Sequence, residues 1–316
     1  MRILIVGGGG YLGSALVKHF AGRHQCICFG HGRTFGEMRA LISGDVEYVE
    51  GDLTNADQVR QIVGRAEAVI HVAGSGGEAD CLADATRSLL THVQGTHLLM
   101  HEARRQNVAR SIFTSTIAVY GTYRARPMPL TEEMETRPDE FYGALKATAE
   151  RELIDAGRFQ ILRLANVYGH GSGLPSLASG VAGKFVELIT EAKPLCVFGA
   201  GAQLIDYVHI DDVCRAYERA LLSAPESNFI FNVGGGEPIS ILDLAQSVAT
   251  IAADETGQRP EITYAPAPPD KLWPDRWLSI SKIERELGWR PAVRIEDGLR
   301  EMIANRVRPK VEAQVT

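Results

Sequence analysis

A tyrosine and a lysine four residues apart form the first pair in this sequence that could carry out chemistry. Tyr142 and Lys146 match the pattern Y-x-x-x-K, which places both side chains on one face of a helix. A lysine ammonium group beside a tyrosine favours the phenolate and so lowers the pKa of the phenol. Such a phenol can take a proton from a substrate hydroxyl group or return one. The alternative interpretation is a surface tyrosine beside a solvated lysine.

Three hydroxyl side chains precede this pair and end a predicted strand. They are Thr114, Ser115 and Thr116. Open α/β sheets bind their ligands at the carboxyl ends of the strands. Because the pair follows these hydroxyl groups closely in the chain, its position favours a catalytic role over a surface helix.

The segment from Gly7 to Gly13 contains the pattern G-x-x-G-x-x-G between a predicted strand and a predicted helix. Glycines in this context allow a tight turn, close approach of the backbone to a pyrophosphate, and close packing of helix on strand. The helix N-terminus presents unpaired N–H groups and a partial positive charge to phosphate groups. The segment therefore predicts a dinucleotide site rather than an ordinary glycine turn.

The residues after the second predicted strand bear on which dinucleotide is bound. An acidic residue at about position 30 would hold the ribose 2′-hydroxyl group of NAD. The sequence has Gly30, His31, Gly32 and Arg33 there instead. No carboxylate in this segment repels a 2′-phosphate, and His31 or Arg33 could neutralise one, so NADP is slightly favoured over NAD. Arg33 is equally compatible with a solvated loop.

Alternating strands and helices must position these residues. Short apolar segments alternate with amphipathic ones in the first half of the chain, which indicates βαβ units and a parallel sheet with helices on both faces. Strands are predicted at residues 3–6, 25–29, 46–50, 68–72, 111–115, 159–164, 194–198 and 229–233. Helices are predicted at residues 14–21, 57–65, 89–105, 142–154, 177–192, 211–222, 241 to about 251, 281–287 and 295–305. Residues 259–275 are proline-rich and are expected to form a loop or arm.

Composition excludes several classes of protein. The 316 residues are 45% hydrophobic and 23% charged, as in globular proteins with one large α/β domain or two smaller ones. A net charge of −6 provides no basic surface for nucleic acid and no polybasic membrane signal. The apolar run at residues 3–6 is too short for an export signal, and no run is long enough to span a membrane.

The cysteines point away from a metal site. There are five, and none forms a C-x-x-C pattern, so we expect scattered buried thiols and no bound metal. Because no export signal is recognised, a cytoplasmic location is expected. Cys26 and Cys28 alternate within a predicted strand and should share one face of the sheet.

Further motifs follow in order along the chain. They are Gly51-Asp52-Leu53, His71-Val72-Ala73-Gly74, Thr114 to Gly121, Leu162 to Gly169, Phe198 to Gly201, His209 to Val213, Asn232 to Gly234 and Leu287 to Pro291. With the glycine turn and the Y-x-x-x-K pair, this series resembles the extended short-chain dehydrogenases/reductases. It is most similar to the NAD-dependent epimerase/dehydratase group, which acts on nucleotide sugars. The resemblance implies an α/β fold, a Rossmann-type doubly wound parallel sheet with a smaller C-terminal substrate lobe.

The resemblance implies roles for individual residues. Tyr142 would be the acid and base, Thr116 would hydrogen-bond the reacting oxygen, and Lys146 would hold the nicotinamide ribose. The predicted cofactor-binding residues are Gly7, Gly10, Tyr11, Leu12, Gly13, His31, Arg33, Asp52, Leu53, Val72, Ala73, Gly74 and Thr114, together with Tyr142 and Lys146. The predicted substrate-binding residues are Thr116, Asn166, Ile205 and Arg276.

It also implies how the chain is divided. Residues 1–166 would form the dinucleotide-binding domain, with residues near 205–235 returning to its sheet. Residues 167–204 and 236–308 would form the substrate-binding lobe, and residues 309–316 a tail. A homodimer is expected through the predicted helices at residues 89–105 and 142–154.

Three positions depart from the family pattern. The acidic residue after the second strand is absent, as noted above. His92 stands where the family motif N-x-x-G-T has asparagine, which affects the usual support of the active-site lysine. Ile205 stands where G-x-G-x-Q-x-R-D-F/Y has an arginine that meets the substrate diphosphate. Either Arg276 supplies that positive charge, or the substrate carries no nucleotide diphosphate.

The sequence thus predicts an NAD(P)-dependent epimerase that oxidises a hydroxyl group of a nucleotide sugar to a transient ketone and returns the hydride. The alternatives are an NADPH-dependent ketoreductase on a non-nucleotide carbonyl and a non-catalytic NADP-binding protein. A 4,6-dehydratase or a uronate decarboxylase is not expected, because Ile117 and Ala118 follow Thr116 where those enzymes have acidic residues. A carboxylate from Glu78 or Asp80 is the alternative source of that chemistry.

Overall fold

The computed structural model describes residues 1–122, 127–157, 160–170, 180–223, 228–267 and 274–307. The strands are β1 (Arg2–Val6), β2 (Gln25–Gly30), β3 (Val46–Glu50), β4 (Ala68–His71), β5 (Arg110–Thr116), β6 (Gln160–Leu164), β7 (Asn166–Tyr168), β8 (Leu195–Phe198), β9 (Leu204–Ile205), β10 (Tyr207–His209), β11 (Phe229–Val233), β12 (Ile239–Ser240) and β13 (Ile262–Ala265).

The helices surround these strands. They are α1 (Tyr11–Phe20), α2 (Phe35–Leu41), α3 (Ala56–Val63), α4 (Glu78–Ala83), α5 (Ala85–Leu89), α6 (Thr96–Arg105), α7 (Phe141–Asp155), α8 (Gly180–Thr190), α9 (Ile210–Leu222), α10 (Ile241–Thr256), α11 (Ser281–Leu287) and α12 (Ile295–Val307). No helix in the described part of the chain combines the length and the apolar character needed to cross a membrane.

A seven-stranded sheet organises the chain, in the order β11-β6-β5-β4-β1-β2-β3. All of its neighbouring strands are parallel. The chain winds outward from β1 to β3, then crosses to the other side and winds outward from β4. The strand order therefore reverses between β1 and β4, which is where open α/β sheets bind their ligands. The predicted Rossmann-type doubly wound sheet is confirmed.

Both faces of this sheet are buried. Ile3 and Ile5 pack in one hydrophobic cluster, while Leu4 and Val6 pack in another on the opposite face. This explains the uninterrupted apolar run of β1, since a parallel strand covered on both faces needs apolar residues at every position. Cys26 and Cys28 lie in the cluster of Ile3 and Ile5, which confirms that they share a face.

The predicted strands of the large sheet are found within one residue of their predicted bounds, and position 159 of the predicted sixth strand lies outside the described residues. One expectation elsewhere is wrong. The proline-rich segment contains strand β13, which pairs in parallel with β8. Prolines flank this strand but do not interrupt it, so backbone pairing with a distant strand overrides the local composition. Positions 268–273 of that segment and the predicted tail lie outside the described residues.

A further hydrophobic cluster, separate from the two that cover the large sheet, lies between α8, α10 and α12. Its buried side chains include Phe185, Leu244 and Leu299. By contrast, Leu278, Ile283 and Trp289 pack in the core of the large sheet. Trp289 Nε1 donates a hydrogen bond to the Asp212 carbonyl at 2.9 Å. The last part of the chain thus contributes to both cores.

The helix predicted at residues 89–105 is not regular. Its first half is a π-helix over Leu90–Gly95, which then continues as α6. Near the junction the Thr96 hydroxyl donates to the His92 carbonyl at 2.7 Å. Segments of π-helix occur frequently at functional sites, and this one places His92 inside the protein, 1% exposed.

Candidate active site

The glycine turn is as tight as its sequence predicts. Gly7 has a φ of +87°, and a Cβ there would lie 2.6 Å from Ala73 Cα. A Cβ on Gly13 would lie 2.1 Å from the Gly7 carbonyl oxygen. The N-cap of α1 is Gly10, so no side chain caps the first N–H groups of this helix. Those groups are available to a phosphate.

A cavity of about 430 Å³ opens beside this turn, at the point where the strand order reverses. Gly7, Gly10, His31 and Arg33 border it from the ends of β1 and β2. Asp52, Leu53, Val72, Ala73 and Gly74 border it from the segments after β3 and β4. The cavity therefore brings together most of the predicted cofactor-binding residues.

The remaining predicted cofactor-binding residues lie elsewhere. Gly13 packs beneath the turn, and Leu12 packs against the core of the large sheet. The Tyr11 hydroxyl donates a hydrogen bond to the Gly169 carbonyl at 2.8 Å, and burial raises the pKa of this phenol. Tyr11 therefore ties the start of α1 to the segment after β7.

The end of the cavity near β2 holds both signs of charge. A nitrogen of Arg87 lies 3.1 Å from His31 Nε2 and 3.7 Å from a carboxylate oxygen of Asp52. A Cβ on Gly32 would lie 2.9 Å from the carboxyl carbon of Glu50. Glu50 ends β3 and pairs in register with Gly30. The prediction that no carboxylate stands near this position holds for the segment itself but overlooked the adjacent strand.

The tyrosine, the lysine and the threonine hydroxyls meet where β5 ends against α7. Lys146 Nζ donates to the Thr114 carbonyl oxygen at 2.9 Å and lies 4.9 Å from the centre of the Phe113 ring. The Thr116 side chain lies close enough to the phenol of Tyr142 to lower the pKa of that phenol. The Thr114 hydroxyl, by contrast, faces the Tyr217 hydroxyl inside the protein.

Burial controls the ionisation of this group. Desolvation raises the pKa of Tyr142 to about 12, although the hydrogen bond from Thr116 lowers it. Desolvation also lowers the pKa of Lys146 to about 8. The expectation that Lys146 lowers the pKa of Tyr142 is therefore wrong for the protein without cofactor. Desolvation of the phenol dominates and raises its pKa, while the Lys146 ammonium group donates to the Thr114 carbonyl.

His92 fills the position of the missing asparagine. Its ring centre lies 5.8 Å from that of Tyr142 in an edge-to-face arrangement, and its Nε2 atom lies 3.7 Å from Cys81 Sγ. A Cβ on Gly74 would lie 2.2 Å from His92 Cε1, so a glycine at position 74 makes room for the larger ring. Burial lowers the pKa of His92 to about 3, with a further contribution from Lys146, so the imidazole is neutral at physiological pH.

The predicted substrate-binding residues of the C-terminal half converge through Asp206. The Asp206 carbonyl accepts from the backbone N–H of Asn166 at 3.1 Å and from its Nδ2 at 2.9 Å. Ile205 and Arg276 form a parallel β-bridge, and the Asp206 N–H donates to the Arg276 carbonyl. Within the described part of the chain, the buried Nη1 atom of Arg276 has no hydrogen-bond partner. The residue predicted to replace the missing arginine thus lies on the strand segment next to Ile205.

Sequence reasoning missed several neighbours of the site. Glu50, Cys81 and Arg87 carry no motif, and their proximity depends on how separate strands and helices pack. Glu78, considered only as an alternative acid, instead accepts hydrogen bonds from the backbone at the start of α7. No local sequence signal identifies a contact between residues so far apart in the chain.

The chain is similar to known proteins along nearly its whole length. A dTDP-L-rhamnose 4-epimerase from Burkholderia thailandensis is 27% identical, over 95% of this chain and 93% of its own. The structure of a UDP-glucose 4-epimerase from Thermotoga maritima with UDP-glucose matches with a TM-score of 0.84 and 26% identity, over 96% of this chain and 98% of the other. That of a UDP-glucose 4-epimerase from Thermus thermophilus in complex with NAD matches with a TM-score of 0.82 and 27% identity, over 98% and 100%.

A family model matches most of the large sheet and the segments that carry the site. It describes the NAD dependent epimerase/dehydratase family and covers residues 3–234. Since this range includes the glycine turn, Thr116, Tyr142 and Lys146, the chain belongs to the NAD-dependent epimerase/dehydratase family.

Proposed function

We propose that this protein is an NAD(P)-dependent epimerase of nucleotide sugars. The observation that carries the proposal is that Thr116, Tyr142 and Lys146 come together where β5 ends against α7, with Tyr142 and Lys146 on the same helix. This group adjoins the dinucleotide cavity, since Gly74 on the cavity wall contacts His92, which contacts Tyr142. A hydroxyl oxidation needs a hydride acceptor and a base side by side, and this arrangement provides for both.

The residues around the cavity fit a dinucleotide. Gly7 and Gly13 leave no room for side chains at the turn, and the uncapped start of α1 suits a pyrophosphate. Asp52 and Leu53 would face the adenine, and Val72, Ala73 and Gly74 would pass beneath the cofactor. When bound, the nicotinamide accepts a hydride from a sugar carbon and returns it to that carbon.

The protein's own residues handle the proton. Tyr142 Oη takes the proton of the sugar hydroxyl group as the carbon is oxidised, and gives it back when the ketone is reduced. The Thr116 hydroxyl orients the reacting oxygen. Because burial raises the pKa of Tyr142 to about 12, its phenolate needs a nearby positive charge, which Lys146 and an oxidised nicotinamide would supply. Rotation of the transient ketone between the two transfers would invert the carbon.

Arg276 supports a nucleotide diphosphate as the handle of the substrate. It lies beside Ile205, the position at which family members carry an arginine, and its buried Nη1 lacks a partner among the described residues. Guanidinium groups bind phosphates through paired, charge-assisted hydrogen bonds. Ile205 alone would favour a ketoreductase without a nucleotide substrate, but the adjacent Arg276 removes that argument.

Dehydration and decarboxylation lack their acidic groups. Ile117 and Ala118 are buried after Thr116 and carry no titratable atom. Both oxygens of Glu78 are already engaged by backbone N–H groups, so this carboxylate is not free to move protons on a substrate. Epimerisation, which needs only Thr116, Tyr142 and Lys146, is the reaction that these residues support.

The choice between NAD and NADP is a narrower question. His31, Arg33 and Arg87 support a slight preference for NADP, whereas the Glu50 carboxylate against Gly32 opposes a 2′-phosphate. The Thermus thermophilus structure is a complex with NAD, so that relative lends no support to the preference. Calorimetric titration with both dinucleotides decides the matter, and tighter binding of NAD would overturn the preference without affecting the site.

A cytoplasmic homodimer completes the proposal. Leu89, at the end of α5, and Leu90, at the start of the π-helix, are 49% and 38% exposed, and with α6 and α7 they offer a surface for a second copy. Light scattering during size-exclusion chromatography tests this assembly, and a monomer at micromolar concentration would contradict it.

The reaction is tested with a panel of UDP-glucose, dTDP-glucose, GDP-mannose and UDP-glucuronate, with products followed by NMR in D₂O. We expect an epimer without net change in the cofactor and without deuterium at the inverted carbon, because the hydride returns from the nicotinamide. A 4-keto-6-deoxy sugar or a pentose would contradict the assignment. Steady consumption of NADPH with a carbonyl substrate would indicate a reductase, and tight cofactor binding without any turnover would indicate a non-catalytic protein.

A further inference from the structure

Glu78 reaches the start of the helix that carries Tyr142 and Lys146. Its two carboxylate oxygens accept hydrogen bonds from the backbone N–H groups of Phe141, at 3.0 Å, and Tyr142, at 2.7 Å. These are the first two residues of α7. The N-cap residue, Glu140, makes no side-chain hydrogen bond to this helix end. A residue 64 positions away in the chain therefore caps α7.

This cap acts on the backbone of Tyr142 itself. The first N–H groups of a helix have no partner within the helix, so they depend on an acceptor from outside it. A carboxylate is a strong acceptor there, because the bond is charge-assisted and the negative charge faces the positive end of the helix dipole. Since one of the two donors is the N–H of Tyr142, the carboxylate restrains the residue whose phenol must meet the substrate.

The same short helix also reaches the ring of Tyr142. Cys81 on α4 contacts His92 Nε2 at 3.7 Å, and the His92 ring packs edge-to-face on Tyr142. Helix α4 follows directly from the cavity wall, which includes Gly74 and Ser75. It therefore connects the cofactor cavity to Tyr142 by two routes, one to the backbone and one to the ring.

We propose that Glu78 is a positioning residue for Tyr142, because its carboxylate ties the wall of the cofactor cavity to the start of α7 and thereby sets where the phenol stands. This inference rests on the proposed function, in which Tyr142 is the acid and base. Glu78 touches neither the substrate nor the cofactor in this role, so its removal should affect catalysis more than binding.

The kinetic test compares Glu78→Ala and Glu78→Gln with the wild type, all saturated with NAD. In Glu78→Ala we expect kcat to fall about 100-fold, as a misplacement of about 1 Å costs roughly that much, with the KM of the nucleotide sugar and the Kd of NAD changed less than about threefold. Glu78→Gln keeps one acceptor oxygen and should recover about tenfold of that loss. Glu140→Gln is the matched control, because it removes a carboxylate that makes no hydrogen bond at the same helix end. It should keep kcat within about twofold, and it is compared on kcat rather than KM because Glu140 also acts on the charge of Arg276.

A second measurement needs no substrate and so remains decisive if the epimerase assignment fails. The amides of Phe141 and Tyr142 have no acceptor within α7, so their protection against hydrogen exchange should depend on Glu78. Mass spectrometry of a peptide spanning residues 139–146 in the NAD-bound protein should show faster exchange in both Glu78 variants and no change in Glu140→Gln.

Several results would overturn the proposal. They are a kcat within twofold of the wild type in both Glu78 variants, unchanged exchange at the start of α7, or a loss of NAD affinity as large as the loss of kcat. The last result would place Glu78 in the cofactor site instead. If Glu78→Ala does not fold, Glu78→Gln decides by the same measurements, because it keeps the volume of the side chain.

Discussion

Replacing Lys146 by methionine should change how the stability of the protein depends on pH. Lys146 is 4% exposed, and burial lowers its pKa from 10.5 to about 8. At about 1.4 kcal/mol per pKa unit, holding this charge inside the folded protein costs about 3 kcal/mol. The cost is fully present below about pH 8. It disappears as the pH rises towards 10.5, because the unfolded chain then binds more protons than the folded one and folding becomes more favourable.

The Lys146→Met variant lacks this pH-dependent cost. It also loses the hydrogen bond from Nζ to the Thr114 carbonyl, at 2.9 Å, which destabilises it by about 1–3 kcal/mol at every pH. The free energy of unfolding of the variant minus that of the wild type should therefore fall by about 3 kcal/mol between pH 7 and 10.5.

Urea denaturation of both proteins, free of cofactor, at several pH values across this range measures the difference. Other titrating groups are common to both proteins and largely cancel in the difference. A difference that stays constant with pH would refute the conclusion that folding buries the Lys146 ammonium group at a cost.

Three further predictions test the site. Tyr142→Phe should lower kcat at least about 100-fold and leave the Kd of NAD nearly unchanged, since only the phenolic oxygen is lost; a variant that keeps a tenth of the wild-type rate would exclude Tyr142 as the acid and base. Arg276→Ala should raise the KM for the nucleotide sugar that is active in the panel about 10- to 100-fold, in line with hydrogen bonds to charged groups. Adding Ile205→Arg to this variant should lower the KM again, because the two residues are adjacent. If steady-state kinetics give the same KM for the single and double variants, no diphosphate binds at this position. Gly74→Ala should lower the Tm by a few degrees because its Cβ would lie 2.2 Å from His92 Cε1. His92→Asn should recover part of that loss, and equal Tm values for the single and double variants would contradict this packing.

Local sequence patterns were sufficient to predict the large sheet, the glycine turn and the pairing of Tyr142 with Lys146. The central strands β1 and β4 of this sheet contain uninterrupted apolar runs because both faces are buried, and such runs are visible without knowledge of the fold. The glycine turn is equally local, since the Cβ that Gly13 lacks would strike the carbonyl of Gly7 six residues earlier. Tyr142 and Lys146 lie on one helix, so their spacing alone brings them to the same place.

The predictions from sequence were wrong where contacts between distant residues, or burial, decided the outcome. The proline-rich segment was expected to be a loop, yet residues 262–265 pair with β8 and form a strand. The neighbourhood of Gly30 was expected to lack a carboxylate, yet Glu50 arrives there from the adjacent strand. In the same way, Lys146 was expected to lower the pKa of Tyr142, but burial of the phenol dominates and raises it.

The sequence by itself therefore determined the fold class, the family resemblance and the three residues of the proposed catalytic site, because each depends on residues close together in the chain or on a regular period. Only the tertiary structure placed Arg276 beside Ile205, His92 over Gly74 and Glu78 at the start of α7. These contacts join residues from separate elements, and they follow from how the strands and helices pack. A short-range pattern contains no information about which distant side chain will arrive at a given backbone N–H group or ring, so the environment that tunes Tyr142 becomes visible only when the chain is folded.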